Sequence, residues 1–291
     1  MEPALAAIRF AHFTSVMFMF GAGAFLLVFT TGELRAELSA RLHRPAIVAS
    51  LIAFLTALAW LSMESASMNE DYAAAFDTGS ISDVLTSTAF GAIWQGRIAL
   101  SVVAIIAFVL IRAERWRVAT TLSAFLLASL ALVDHGAMQT GALGLAHRGN
   151  DALHLLTTGG WLGGLAPFVL CLGCATHGPN RAEANLAMLR FSAAGHFGVL
   201  LILATGAINI LLTTHALPWP PTSPYRALLV GKIGVVLVMI GLAAINRYAL
   251  LPRIETDPRG EYLLRLFASV ELALALIVVG LVSYFGLLDP A

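Results

Sequence analysis

The sequence predicts an all-α protein, a polytopic membrane helix bundle of about eight transmembrane helices. Three observations predict it. The 291 residues are 59% hydrophobic and only 12% charged, where a soluble domain carries about 25% charge. The mean hydropathy is +0.85. Apolar stretches of about 20 residues, the length that crosses a bilayer, recur along the whole chain, and no gap between them could hold a soluble domain.

The spans are expected at about 5–31, 46–67, 92–112, 118–138, 151–175, 188–213, 227–249 and 263–287. The first lacks a basic leading region and an A-x-A-like cleavage site, so it reads as a retained span. The longest connection, MNEDYAAAFDTGSISDVLTSTAFG, has room for a short surface helix. Arginines sort by side. Arg35, Arg41 and Arg44, then Arg112, Arg115 and Arg117, then Arg181 and Arg190, then Arg247, Arg253, Arg259 and Arg265 fall around alternate connections. The opposite side has only Arg148 and Arg226. Positive charge stays inside, so both termini are expected on the outer, periplasmic face.

The composition also excludes functions. Formal net charge is zero, and no basic tail or stripe points to nucleic acid. No G-x-x-x-x-G-K-[ST] loop occurs, so no ATP-binding site is expected. Cys171 and Cys174, three apart, suit one helix face better than a disulfide framework. No catalytic set emerges, and no enzyme is predicted.

The polar residues concentrate at one place. DHGAMQTGALGLAHRGNDALHLL, residues 134–156, holds three histidines, a methionine and two aspartates in apolar surroundings. The expected topology sets it at the outer surface. The fourth span rises to Asp134, His135 and Met138, the connection carries His147, and the fifth span descends through Asp151 and His154. Asp151 and His154 share one helix face. His12, two turns into the first span, could join them, as could Met63 and Met68 in LSMESASM. Imidazole with thioether suits copper, above all Cu(I). Such histidines also serve as plain interfacial polar groups, and such methionines as core.

Deeper polar groups are functional candidates because ionisable side chains are costly in hydrocarbon. Arg9 and Arg97 are placed to snorkel. Lys232 is placed to pair with Asp134 or Asp151. Glu271, His196, Asn246 and Arg247 share a depth near the inner side, where a Glu271–Arg247 pair is the plain reading. A relay through His196, Asn246 and Glu271 is the sharper one. CLGCATH sets Cys171, Cys174 and His177 at three-residue intervals, a possible soft-metal exit or simply small apolar residues. Gly159, Gly160, Gly163 and Gly164, with Gly21 and Gly23, mark close helix packing that makes the fifth span central.

Several segments resemble a known family. DALHLLTTGGWLGGLAPF, RFSAAGHFGVLLILATGAINILL, YRALLVGKIGVVLVMIGLAAINRYALLPRI and SVELALALIVV are similar to successive helices of the copper resistance D (CopD) family of bacterial inner-membrane proteins. The resemblance covers 134–288, a CopD-like core. Residues 1–133 match only in general character, as a divergent half of the same transmembrane domain. Where the family shows Gly-His-Ala at the end of the fourth helix, this chain has Asp134-His135-Gly136.

The resemblance implies copper handling at the inner membrane, with uptake from the periplasm and a small periplasmic copper-binding chaperone as partner. The expected function is therefore a copper transport protein. Two alternatives stay open. One is a haem-binding electron-transfer protein with axial histidines such as His135 and His154. The other is a receptor that docks the chaperone without transport, through an acidic surface at Glu70, Asp71, Asp77 and Asp83.

Overall fold

A computed structural model describes residues 1–111, 114–133, 139–177, 179–253 and 258–290, without the side chains of Thr176, His177 and Pro258. Nine α-helices account for most of the described residues: α1 (Glu2–Ala24), α2 (Gly32–Met68), α3 (Thr78–Ser87), α4 (Ala89–Leu110), α5 (Arg115–Ala128), α6 (Gly141–His177), α7 (Arg181–Thr214), α8 (Pro224–Ile245) and α9 (Pro258–Phe285). Two π-helical turns, Phe25–Phe29 and Asn246–Leu250, continue α1 and α8.

Among the described residues, seven helices are long and apolar enough to cross a membrane. The fourth expected span is described only in part. There, 14 residues of α5 are followed by four of 3-10 helix, Ser129–Leu132, before the backbone becomes extended at Val133. The rest of that span, residues 134–138, lies outside the described residues.

Two expected connections are helical. α2 and α6 each run 37 residues, about 55 Å at 1.5 Å per residue, against about 30 Å of hydrocarbon. Counting apolar residues stops at the first charges, but the helix does not. ELRAELSARLHR is rich in strong helix formers, and Glu37 and Arg41 pair one turn apart at 2.5 Å. His147 consequently stands on α6 and not in a loop. The longest connection does hold a short helix, α3. Asp77 caps it by accepting from the Ser80 amide and hydroxyl, which hold its carboxyl below the usual range.

α1 and α6 form the centre. α1 packs on α2, α5, α6 and α9, and α6 packs on α1, α5, α7 and α9. The two central helices meet where a Cβ on Gly21 would lie 2.4 Å from Gly163 C, and one on Gly163 would lie 1.9 Å from the Met17 carbonyl oxygen. Only glycine lets the backbones come this near. α8 packs on α9, whereas α7 and α8 scarcely touch. A cleft therefore runs between α7 and α8, floored by α6 and α9.

Candidate functional site

Two cavities occupy this cleft, one near each end. The first, about 390 Å³, is lined by His147, Asp151 and His154 of α6, Asn209 of α7, Tyr225 and Lys232 of α8, Arg9 and Met17 of α1, and apolar side chains of α9. Helical spacing explains the α6 contribution, since positions 147, 151, 154 and 158 fall along one face.

Hydrogen bonds hold this face in place. Thr205 Oγ1 donates to the Leu201 carbonyl, 2.6 Å, a common return bond within membrane helices. Its oxygen accepts from His154 Nδ1 at 2.9 Å, which leaves the lone pair on His154 Nε2. Asn150 donates to the Thr205 carbonyl at 2.9 Å and to Asn209 Oδ1 at 2.6 Å. Asn209 in turn donates to Asp151 Oδ1 at 2.8 Å. α6 and α7 are thus joined beside the cavity by polar bonds. His147, buried, faces Gln139 Oε1 through Nδ1 at 2.5 Å, and Gln139 donates to the Leu212 carbonyl at 2.8 Å.

The other expected ligands divide. His135 and Met138 lie outside the described residues. Met63 is half-buried and Met68 exposed, and neither lines the cavity. His12 is fully buried next door. Its Nδ1 faces the Ala53 carbonyl at 3.2 Å and Thr56 Oγ1 at 3.0 Å, and its Nε2 meets Arg97 Nη2 at 2.7 Å. Arg97 does not snorkel. It is 1% exposed and also donates to the Leu126 carbonyl and Ser129 Oγ, with Trp94 under its guanidinium at 4.8 Å.

Among the described residues, no three His, Cys, Asp or Glu side chains stand together to hold one metal ion. The spacing gives a reason along α6. His147 and His154 are seven residues apart, about 10 Å of helix rise, so one ion cannot take both. Asp151, one turn from either, can share an ion with one of them. Sequence reasoning missed Met17, Thr205, Asn209 and Tyr225. Met17 follows Arg9 and Phe13 at four-residue intervals, so the three share the face of α1 that lines the cavity. Thr205 and Asn209 stand in a Thr-Gly-x-x-Asn pattern that marked the family resemblance without suggesting a site role, and Tyr225 had no chemical signature of its own.

The second cavity, about 330 Å³, lies one helical turn further along the cleft. Leu162, Ile202 and Val236 line the first cavity, and Leu165, Val199 and Ile240 line the second. Asn246 Nδ2 donates to Glu271 Oε1 by a short bond. Arg247 turns instead to the Leu189 carbonyl, 3.1 Å, so the expected Glu271–Arg247 pair is replaced by Asn246–Glu271. His196 Nε2 meets the Tyr248 hydroxyl at 2.6 Å, and its Nδ1 meets the Ser192 carbonyl at 3.0 Å. Cys171 and Cys174 are free and buried. Their thiols donate to the Ala184 carbonyl at 3.5 Å and Glu37 Oε1 at 3.6 Å. The His177 side chain lies outside the described residues.

Comparison with known proteins completes this picture. A family model described as copper resistance protein D-like, N-terminal domain, matches residues 1–145, and one described as copper resistance protein D matches residues 185–285. Likeness thus reaches over the first half of the chain as well. The inner membrane protein YebZ of Escherichia coli (strain K12) is 33% identical over 98% of this chain and 97% of its own. Copper resistance protein D of Pseudomonas syringae pv. tomato is 31% identical over 99% of this chain and 97% of its own. Copper transport protein CutJ of Bacillus subtilis (strain 168) is 27% identical over 84% of this chain, which spans 46% of that protein. No solved structure matches. With both halves matched and relatives aligned over nearly its full length, this multi-pass helical chain belongs to the copper resistance protein D family.

Proposed function

We propose that the chain carries copper across the bacterial inner membrane through the cleft between α7 and α8, from the periplasmic side towards the cytoplasm. Relatives named for copper resistance and copper transport, and one named for the inner membrane, support this reading. The arginine distribution supports an outer position for the His147 end.

The observation that carries the reading is His154. Thr205 fixes its ring so that Nε2 keeps a lone pair beside the cavity, and Asp151 follows one turn away on the same face. A histidine oriented through its second nitrogen is the usual arrangement of a metal ligand. His135 and Met138 complete the expected ligand set, with the Met138 thioether as the soft donor that Cu(I) prefers. His147 would receive the ion first and His154 hold it next, because one ion cannot bind both.

The test is copper binding by detergent-purified protein. Wild type should hold close to one copper per chain against a moderate chelator, and His154→Ala and His135→Ala should each lose it while eluting as folded protein. Unchanged copper affinity in the double variant would remove the site.

A further inference from the structure

We propose that Glu271 is a proton-carrying site, loaded and unloaded from the second cavity. Glu271 is 3% exposed and Asn246 6% exposed, and both line that cavity. The Asn246 amide nitrogen donates to Glu271 Oε1, while the Asn246 amide oxygen is buried without a hydrogen-bond partner. An acceptor left so is destabilising, and an uncompensated carboxylate in a membrane interior is more so. The arrangement is short of one donor. A proton transferred from hydronium to the second Glu271 oxygen removes the charge, leaves water, and supplies an O–H donor beside the amide.

The surroundings support a proton over a fixed cation. α7 offers His196, whose two ring nitrogens are occupied by Tyr248 and Ser192. The π turn after α8 offers Arg247, turned to the Leu189 carbonyl, and Tyr248. α6 offers only Trp161, Leu165 and Phe168. Among the described residues, no cation pairs with Glu271. Asn246 opens the π turn Asn246–Leu250, a feature that recurs at functional sites. His196 and Tyr248 are exposed where the cavity meets the gap between α7 and α8, so polar groups line the way from that gap to the carboxyl.

The site stands without copper. Its coupling to copper rests on the reading above, through the single apolar turn that separates the two cavities. The experiment therefore uses copper-free protein in lipid, with carboxyl bands followed by infrared difference spectroscopy between pH 5 and 9. A carbonyl band of a protonated acid should appear and vanish with pH, and Glu271→Gln should lose it. Asn246→Ala should move its midpoint by about one pH unit, the worth of one hydrogen bond to a charged group. Isotope-labelled glutamate in the wild type identifies the band as that of a glutamate and not an aspartate, and Glu271→Gln assigns it to this position. A Glu271 carboxyl that never titrates, or one whose band follows sodium concentration and not pH, overturns the proposal. Failure of copper binding with the titrating band intact would count against the copper reading alone.

Discussion

Arg97 Nη2 lies 2.7 Å from His12 Nε2, and this contact joins α1 to α4 in the interior. The guanidinium only donates, so His12 Nε2 accepts and Nδ1–H points to the Ala53 carbonyl and Thr56 hydroxyl. Aromatic rings enclose the pair: Trp60 lies edge-on to His12 at 5.8 Å, and Trp94 lies under Arg97. His12 is thereby committed to structure. His12→Ala should lower stability by about 3 kcal/mol or more, since it strips a partner from a buried cation. It should leave copper stoichiometry unchanged. Thermal unfolding and metal content of the same preparation check both halves, and lost copper with intact stability would return His12 to the ligand set.

The closest backbone approach gives a second prediction. A Cβ at Gly163 meets the Met17 carbonyl oxygen at 1.9 Å, and a backbone atom cannot swing aside as a side chain does. Gly163→Val should force α1 and α6 apart at a cost of about 3 kcal/mol or more. Gly173→Val, with nothing near its Cβ, should be tolerated. Yield and melting temperature of the two variants in one detergent make the comparison.

Much of this architecture was legible in the sequence. Span positions followed from runs of apolar residues, and the Asp151–His154 face followed from helical spacing. The glycine stripe around Trp161 announced the close packing of α6. What escaped has physical causes. Hydropathy counts cannot see that a helix continues beyond the hydrocarbon, so Gly32–Arg44 and Gly141–Asn150 read as connections. Arg97 lay near a span end, where snorkelling is the default, and only its acceptors from α1 and α5 reveal a buried role. Glu271 had two eligible partners at one depth, Arg247 and Asn246, and adjacent residues on a helix point in different directions. Asn246 meets Glu271, while Arg247 reaches the Leu189 carbonyl.

Thr205 offers a prediction that separates orientation from ligation. It touches His154 Nδ1 at 2.9 Å and does not line the cavity. Thr205→Val keeps the shape and removes the oxygen. The imidazole loses its fixed tautomer, and copper affinity should fall about 10- to 100-fold with folding intact, whereas Thr205→Ser should restore it. Chelator competition across the three proteins measures this. Equal affinity in all three would show that His154 does not bind the ion.

Lys232 makes the opposite prediction. Its ammonium lines the first cavity with Asp151 and His154 and lies 5.9 Å from the Phe285 ring centroid. In its protonated form Lys232 opposes a positive cargo. As a scale, two unit charges about 10 Å apart at an effective dielectric of about 20 oppose each other by about 1.7 kcal/mol, roughly tenfold or slightly more in affinity. Lys232→Met keeps most of the side-chain volume and removes the charge. Copper affinity should therefore rise on the order of tenfold, and release from the cavity should slow. A transporter gains from such a residue, because an ion held too tightly does not leave. Equilibrium binding and stopped-flow release to a chelator test the two parts together. Tighter binding with slower release supports Lys232 as the group that keeps the site weak. Weaker binding would instead mean that the ammonium orders Asp151 for the metal.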